Sequence, residues 1–457
     1  MTRRLLRACC SVVLVATLAA GVAVARAPSA PAEDNGVGFT PAMGWSSWSY
    51  LRHDPTEANV EAQARALVSS GLARVGYTYV NLDDFWYVCL GPQGPQVDSY
   101  GRWVPNSNFP PGPHGMSGIE VLANYIHKLG LKFGLYVTPG ISAEAVSLNT
   151  KVLGPDGRPS GYTADQIANG LVSENNYNCG GMDGLKYQTP GAQDFIDSWA
   201  DEFAAWGVDY LKVDGVGSFD VADVEAWSKA LRQTGRPIHL ELSNRLNIHY
   251  ARTWARLANG WRTGDDVECY CGANGSSYPL TDWHNVELRF DQVAAWQPYG
   301  APGGFNDYDS IEVGNGDNDG LTFPERQTQL SLWALASSPL LLGVNLTDLD
   351  PADLALLKNT AVIGVDQDAI DAARVARGAK WQIFAKTEKD GDVVVGLLNV
   401  SGTPETISTT TGALGLKGHL FRLDNLWTHA IGRTSGLVKT TVPAGGVALF
   451  RVTALRG

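Results

Sequence analysis

The chain has 457 residues, more than the roughly 100–200 of an ordinary domain and comfortable for two. Hydrophobic residues make up 44%, charged residues 18%, and 51 positions are Gly, a globular composition that excludes disorder, collagen and coiled coil. The 35 basic and 47 acidic side chains leave a net charge of −12 with no basic run, which argues against nucleic acid and anionic membrane as partners.

Residues 1–30 read as a secretory signal peptide. Arg3, Arg4 and Arg7 precede an apolar run over 8–24, and small-x-small sites follow at 23–27. A membrane anchor is the alternative, but the run is short and no later stretch reaches ~18 apolar residues. Cys9 and Cys10 leave with the signal, so the mature chain keeps Cys89, Cys179, Cys269 and Cys271. An even count in an exported protein points to disulfides, with three possible connectivities. Cys89–Cys179 is preferred, because it would staple an insertion to the strand-two loop, whereas Cys269–Cys271 would close a small ring. A four-Cys zinc site is the rival, although a CxC pair is not the usual clip.

Strands are expected at 43–48, 77–83, 132–137, 210–214, 238–242, 260–263, 304–307 and 340–344. Helical patterns lie between them at 56–70, 122–129, 192–206, 221–231, 248–258, 281–296, 325–336 and 351–358. Thr322 and Glu325 form a capping-box pattern, and Pro351 suits a first helical position. Eight strands alternating with helices imply an α/β domain over 36–364 whose strands close a (β/α)₈ barrel. An open doubly wound sheet is the alternative, but Trp48-Ser49-Tyr50 stands where its glycine-rich turn would lie. Residues 139–190 are too long for a plain connection and read as an insertion after strand three. Beyond 365 the texture changes to short strands, at 381–386, 393–399, 405–408, 418–424 and 446–452, so 365–457 reads as a C-terminal antiparallel β domain.

Barrel enzymes carry reactive groups where strands end. Here strand two ends in Asp83-Asp84, strand four in Lys212-Val213-Asp214, strand six in Arg262 to Asp266, and strand seven in Asn306 to Asp309. Trp45, Trp48, Trp86 and Tyr136 neighbour those ends. Any one of these groups could be a helix cap or a rim ion pair, but four strand ends converging make a site. No HExxH or GxSxG motif is present, so metal hydrolysis and an esterase-type serine are poorly supported. The run from Asn315 to Gly320 opens like a calcium loop, but Arg326 stands at its twelfth position where Glu is needed. Paired carboxylates with aromatic walls suit glycoside hydrolysis, which needs neither metal nor cofactor.

The motifs Thr40-Pro41-Ala42-Met43-Gly44-Trp45-Ser46-Ser47-Trp48, Tyr79-Val80-Asn81-Leu82-Asp83-Asp84, Tyr210-Leu211-Lys212-Val213-Asp214 and Gly304-Phe305-Asn306-Asp307-Tyr308-Asp309 resemble those of glycoside hydrolase family 27. That family comprises α-galactosidases and α-N-acetylgalactosaminidases, on a barrel followed by a C-terminal antiparallel β-sandwich. The resemblance implies a secreted retaining exo-glycosidase acting on oligo- or polysaccharides. Within it Asp214 matches the nucleophile and Asp266 the acid/base, with Asp265 one position off. Asp83 and Asp84 match the groups on the galactose 4- and 6-hydroxyls, Lys212, Arg262 and Asp309 further sugar contacts, and Trp48 and Tyr136 ring-facing aromatics. Lys212 and Arg262 are expected to keep nearby carboxylates ionised, while the acid needs a raised pKa.

The chain also departs from the pattern. Gly215-Val216-Gly217 and Thr138-Pro139-Gly140 stand where members often carry Cys, and Leu240 to Asn244 does not align with the strand-five motif. The expectation is an α-galactosidase. The alternatives are the same chemistry on isomaltose units of dextran or on β-L-arabinopyranosides, and a non-catalytic sugar-binding protein on the same scaffold.

Overall fold

A computed structural model describes residues 33–170 and 176–455; the signal segment at 1–30 lies outside them. Eight parallel strands form one curled sheet: β1 (Met43–Ser46), β2 (Tyr79–Leu82), β3 (Lys132–Val137), β4 (Tyr210–Val213), β5 (His239–Leu242), β6 (Gly260–Arg262), β7 (Phe305–Asp307) and β8 (Leu340–Leu342). Their order runs from β7 down to β1 and then to β8. The seam between β7 and β8 is joined by one parallel bridge just past β7, where Ile311 N donates to Leu341 O at 2.7 Å and Gly343 N to Ile311 O at 3.0 Å. Asp309, at φ 83°, breaks the strand before that bridge.

Each expected strand is present, and the helices follow local signals. Helix Glu57–Ser69 starts at a reciprocal cap, with Asn59 N donating to Thr56 Oγ1 and Thr56 N to Asn59 Oδ1. The capping box of helix Phe323–Leu335 forms as read, with Thr322 N donating to Glu325 Oε2 at 2.8 Å. Phe195, Trp199, Phe203 and Trp206 recur down helix Pro190–Trp206 at spacings that share one face. That stripe packs on helix Val221–Gln233, where Phe203 stacks on Trp227 at 6.1 Å. The helix Thr360–Gln367 was not foreseen; it is short, apolar and straddles the expected domain boundary.

The C-terminal domain has a six-stranded antiparallel sheet and a two-stranded one. The larger contains β9 (Ala373–Arg377), β10 (Trp381–Thr387), β11 (Val393–Asn399), Phe421–Asn425, Ile431–Thr434 and Val447–Ala454; Glu405–Thr410 pairs with Leu437–Val442 in the smaller. Ile383, Val395 and Leu397 from one and Ile407, Val438 and Val442 from the other share a buried core, as in a β-sandwich. Strands 373–377, 431–434 and 437–442 carry no clean apolar run, because exposed and buried positions mix along them.

Two disulfides form. Cys89–Cys179 is the preferred pair; Cys269–Cys271, discounted on ring size, forms as well. No helix among the described residues is long and apolar enough to cross a membrane.

Candidate active site

Strand alternation decides which side chains enter the barrel. Tyr136 is paired with Lys212, and Lys212 with Glu241, so these side chains occupy one level of the interior. Arg262 is paired with Asp307 beside them. Gly260 supplies the room: a Cβ there would come within 1.9 Å of Glu241 Oε2. Above this layer, at the C-terminal strand ends, opens a cavity of about 520 Å³. All nine side chains singled out for a sugar site line it: Trp48, Asp83, Asp84, Tyr136, Lys212, Asp214, Arg262, Asp266 and Asp309.

Their contacts form two groups. In the first, Lys212 Nζ sits 2.8 Å from Asp83 Oδ2. Burial opposes the Lys212 charge, but Asp83 and Asp214 outweigh it and raise its pKa, so it is a fixed cation. Asp83 Oδ1 accepts Asp84 N. Asp84 Oδ1 accepts Phe85 N at 2.7 Å and the Tyr87 hydroxyl at 2.6 Å, and its Oδ2 accepts Asn178 Nδ2 at 2.7 Å. Burial raises the Asp84 pKa against those hydrogen bonds. The Tyr136 hydroxyl is buried and has no hydrogen-bond partner among the described residues.

In the second group, Arg262 Nη2 lies 3.0 Å from Asp266 Oδ1 and 2.8 Å from Asp309 Oδ2. Asp266, Glu268 and Asp309 bring three carboxylate oxygens within 4.8 Å of one another, a spacing that could take a cation. The charge balancing Asp266 and Asp309 there is the Arg262 guanidinium. Glu268 Oε1 accepts the Ser49 hydroxyl at 2.5 Å. Burial, then Asp309 and Asp266, push the Glu268 pKa up to about 8.

The protonation preferences reverse the expectation. Burial raises Asp214, with Lys212 only partly offsetting it. Asp266 is held well below the usual carboxylate range: burial would raise it, but Arg262, the Tyr270 hydroxyl and Lys212 prevail. The cause is position. Asp214 accepts Gly215 N on Oδ1 at 2.9 Å, while Asp266 has a guanidinium on one oxygen and a hydroxyl on the other. Asp265 points away, exposed and paired with Arg245 at 2.9 Å. Trp48, expected only to face the sugar ring, also donates its Nε1–H to the Tyr270 hydroxyl at 2.9 Å.

Several lining residues were missed. Glu241 lies in the unaligned strand-five segment; its Oε2 accepts the Tyr210 hydroxyl at 3.0 Å, and burial pushes its pKa up to about 8. Alternation with His239 was the signal that could have placed it inside. Tyr177 and Asn178 come from the 139–190 insertion, and no local pattern aims them at the cavity; the staple at Cys179 does. Glu268 and Tyr270 follow Asp266 on the same loop.

A family model described as "Alpha galactosidase A" matches residues 40–146 and 175–368, and one for the "Alpha galactosidase C-terminal beta sandwich domain" matches 378–452. The chain belongs to glycoside hydrolase family 27. It is 32% identical to an alpha-galactosidase of Cyamopsis tetragonoloba over 90% of this chain and 84% of that one, and 30% identical to one of Oryza sativa over 92% and 86%. Among solved structures it resembles a GH27 β-L-arabinopyranosidase from Geobacillus stearothermophilus with a TM-score of 0.82, 28% identity, and coverage of 92% and 97%. Alpha-galactosidase I from Mortierella vinacea shares the fold at a TM-score of 0.69, covering 92% of this chain and 98% of that one at 24% identity. This hydrolase of family 27 carries a buried acidic cluster consistent with the family's retaining chemistry, and the family match passes over 147–174 inside the insertion.

Proposed function

We propose that this family 27 hydrolase removes terminal galacto-configured pyranosyl residues by double displacement, with Asp214 as nucleophile and Asp266 as acid/base. The observation that carries the reading is that both carboxylates line one cavity whose other polar walls are Asp83, Asp84, Lys212, Arg262 and Asp309. In the first step an Asp214 oxygen bonds to the anomeric carbon while Asp266 protonates the departing oxygen. In the second, Asp266 takes a proton from water, whose oxygen displaces Asp214. A sugar-binding protein would have no need of an acid opposite a nucleophile.

The galacto configuration follows from acceptor chemistry. A carboxylate oxygen can accept about two hydrogen bonds. Asp84 Oδ1 is filled by Phe85 N and Tyr87, and Oδ2 already takes Asn178, so Asp84 keeps one position. Asp83 keeps one on each oxygen beside Asp84 N and Lys212. The three open positions suffice to grip an axial 4-hydroxyl, and they leave room for a 6-hydroxyl as well. β-L-Arabinopyranose has the ring configuration of α-D-galactopyranose without the exocyclic CH₂OH. We place β-L-arabinopyranosides ahead of α-D-galactosides on the similarity to the GH27 β-L-arabinopyranosidase. The α-galactoside reading keeps the support of the curated relatives.

Comparing kcat/KM on nitrophenyl β-L-arabinopyranoside, α-D-galactoside, α-N-acetylgalactosaminide, α-glucoside and α-isomaltoside tests this. The first should be fastest, the second cleaved, and the glucoside refused by ~10⁴ or more. Release of isomaltose with no action on either galacto-configured substrate would refute it. We also place the enzyme outside the cell, on the signal-like residues 1–30 and two disulfides.

A further inference from the structure

We propose that the Cys269–Cys271 bridge holds Tyr270 as a positioning residue for Asp266, fixing the carboxyl and the side from which the leaving group is protonated. This rests on the reading of Asp266 as acid/base.

The bridge joins residues two apart, with Tyr270 alone between them. Tyr270 sits at φ 50°, a left-handed conformation that bulky residues rarely adopt, so something must hold it there. The flanking chain is anchored: Cys269 N donates to Leu280 O at 3.0 Å, and the Thr281 hydroxyl to Val267 O at 2.5 Å. The ring is 53% exposed, but its polar end is caught. The Arg52 guanidinium lies 4.3 Å over the ring. The hydroxyl accepts Trp48 Nε1–H and donates to Asp266 Oδ2. A half-exposed loop tyrosine without such ties would sample several rotamers.

The two Asp266 oxygens are held by unlike groups. Arg262 holds Oδ1, and a guanidinium can only donate. Tyr270 holds Oδ2, and a hydroxyl can turn from donor to acceptor. When Asp266 carries its proton, Oδ2 is therefore the oxygen that can bear it, and the departing glycosidic oxygen approaches beside Tyr270. Once the proton has gone to the leaving group, the hydroxyl swings back to donate, stabilising the carboxylate that must next act as base. The other titratable groups facing Asp266 are Lys212, Asp309, Glu268 and Asp214; the hydrogen bond to its Oδ2 comes from Tyr270.

The test compares the pH profile of kcat/KM on an unactivated glycoside for wild type, Tyr270→Phe and the double variant C269S/C271S. Losing the donor should move the limb that falls with rising pH upward by about one pH unit in both variants. Turnover of the activated aryl glycoside should drop about tenfold where the base step limits it. A Tyr270→Phe profile superimposed on wild type overturns the hydroxyl's role; a shifted Tyr270→Phe with an unshifted C269S/C271S overturns the bridge's role. Should the serine pair not fold, brief dithiothreitol treatment of wild type, with thiol mapping to find Cys269 and Cys271 reduced and Cys89–Cys179 intact, makes the same comparison. Asp266→Ala is run in parallel: if its loss does not depend on the leaving group, the assignment of Asp266 itself has failed, which is a different result from an unshifted Tyr270→Phe.

Discussion

Asp265 and Asp266 are adjacent in the chain and opposite in surroundings. Asp265 is exposed and shares a solvent-facing ion pair with Arg245, a contact worth little. Asp266 is tied to Arg262 and Tyr270 at the cavity wall. Asp265→Ala should therefore leave kcat/KM within about twofold of wild type, as far as an exposed pair matters. Asp266→Ala should cost ~10²–10⁴ with a poor leaving group and much less with an activated aryl glycoside, because only the former needs its proton. Steady-state kinetics on the two substrate classes settles the comparison, and a leaving-group dependence that follows Asp265 would exchange the roles. The resemblance already favoured Asp266, because Arg262 and Asp266 match the family's Arg-x-x-x-Asp pattern. The depressed Asp266 pKa was half legible: Arg262, its larger cause, is expected to keep nearby carboxylates ionised, but the Tyr270 hydroxyl, which the loop turns back onto Asp266, is not readable from local sequence.

At the scale of elements, the insertion supplies one wall of the cavity through Tyr177 and Asn178. Asn176 to Cys179 reaches the cavity through the Cys89–Cys179 bridge, which spans 90 positions of sequence. Asn178 takes one acceptor position on Asp84 Oδ2, at the carboxylate pair proposed to hold the sugar hydroxyls. Asn178→Ala should raise kcat/KM on the α-galactoside relative to the β-L-arabinopyranoside by about tenfold, the size of one hydrogen bond to a charged group. An unchanged ratio would mean that Asn178 does not select against the exocyclic carbon. Removing the staple with Cys89→Ser and Cys179→Ser should cost about 2–5 kcal/mol in denaturant unfolding. The eight barrel strands were readable because short apolar runs alternate regularly with helical patterns. The insertion wall was not, since its placement follows from a long-range bridge, and the second bridge was misjudged because ring size alone does not forbid a three-residue loop.

For the molecule as a whole, the polar barrel interior carries a stability cost that depends on pH. Burial pushes Glu241, Asp307 and Glu268 up to about 8, each above its ordinary range. A carboxyl raised in the folded state binds more protons folded than unfolded between its two pKa values. Stability must then fall as pH rises from about 4 to about 8 and level off beyond. Melting temperature measured across that window should decline, and Glu268→Gln should flatten part of the decline. A melting temperature that rises steadily from pH 5 to about 8 would contradict the burial of these groups as neutral acids. This layer was only half legible: alternation places Tyr210 and Lys212 inside, but nothing local says that Glu241 and Asp307 come close enough for one to raise the other's pKa.

The account turns on Asp214 forming a covalent bond to a galacto-configured sugar. The most direct measurement is mass spectrometry of proteolytic fragments after reaction with a fluorinated galacto-configured glycosyl fluoride, which completes the first step and stalls before the second. The label should appear on the peptide containing Asp214 and be absent after Asp214→Ala. A label on the Asp266 peptide, or turnover with no labelled peptide and inversion at the anomeric carbon, would contradict it.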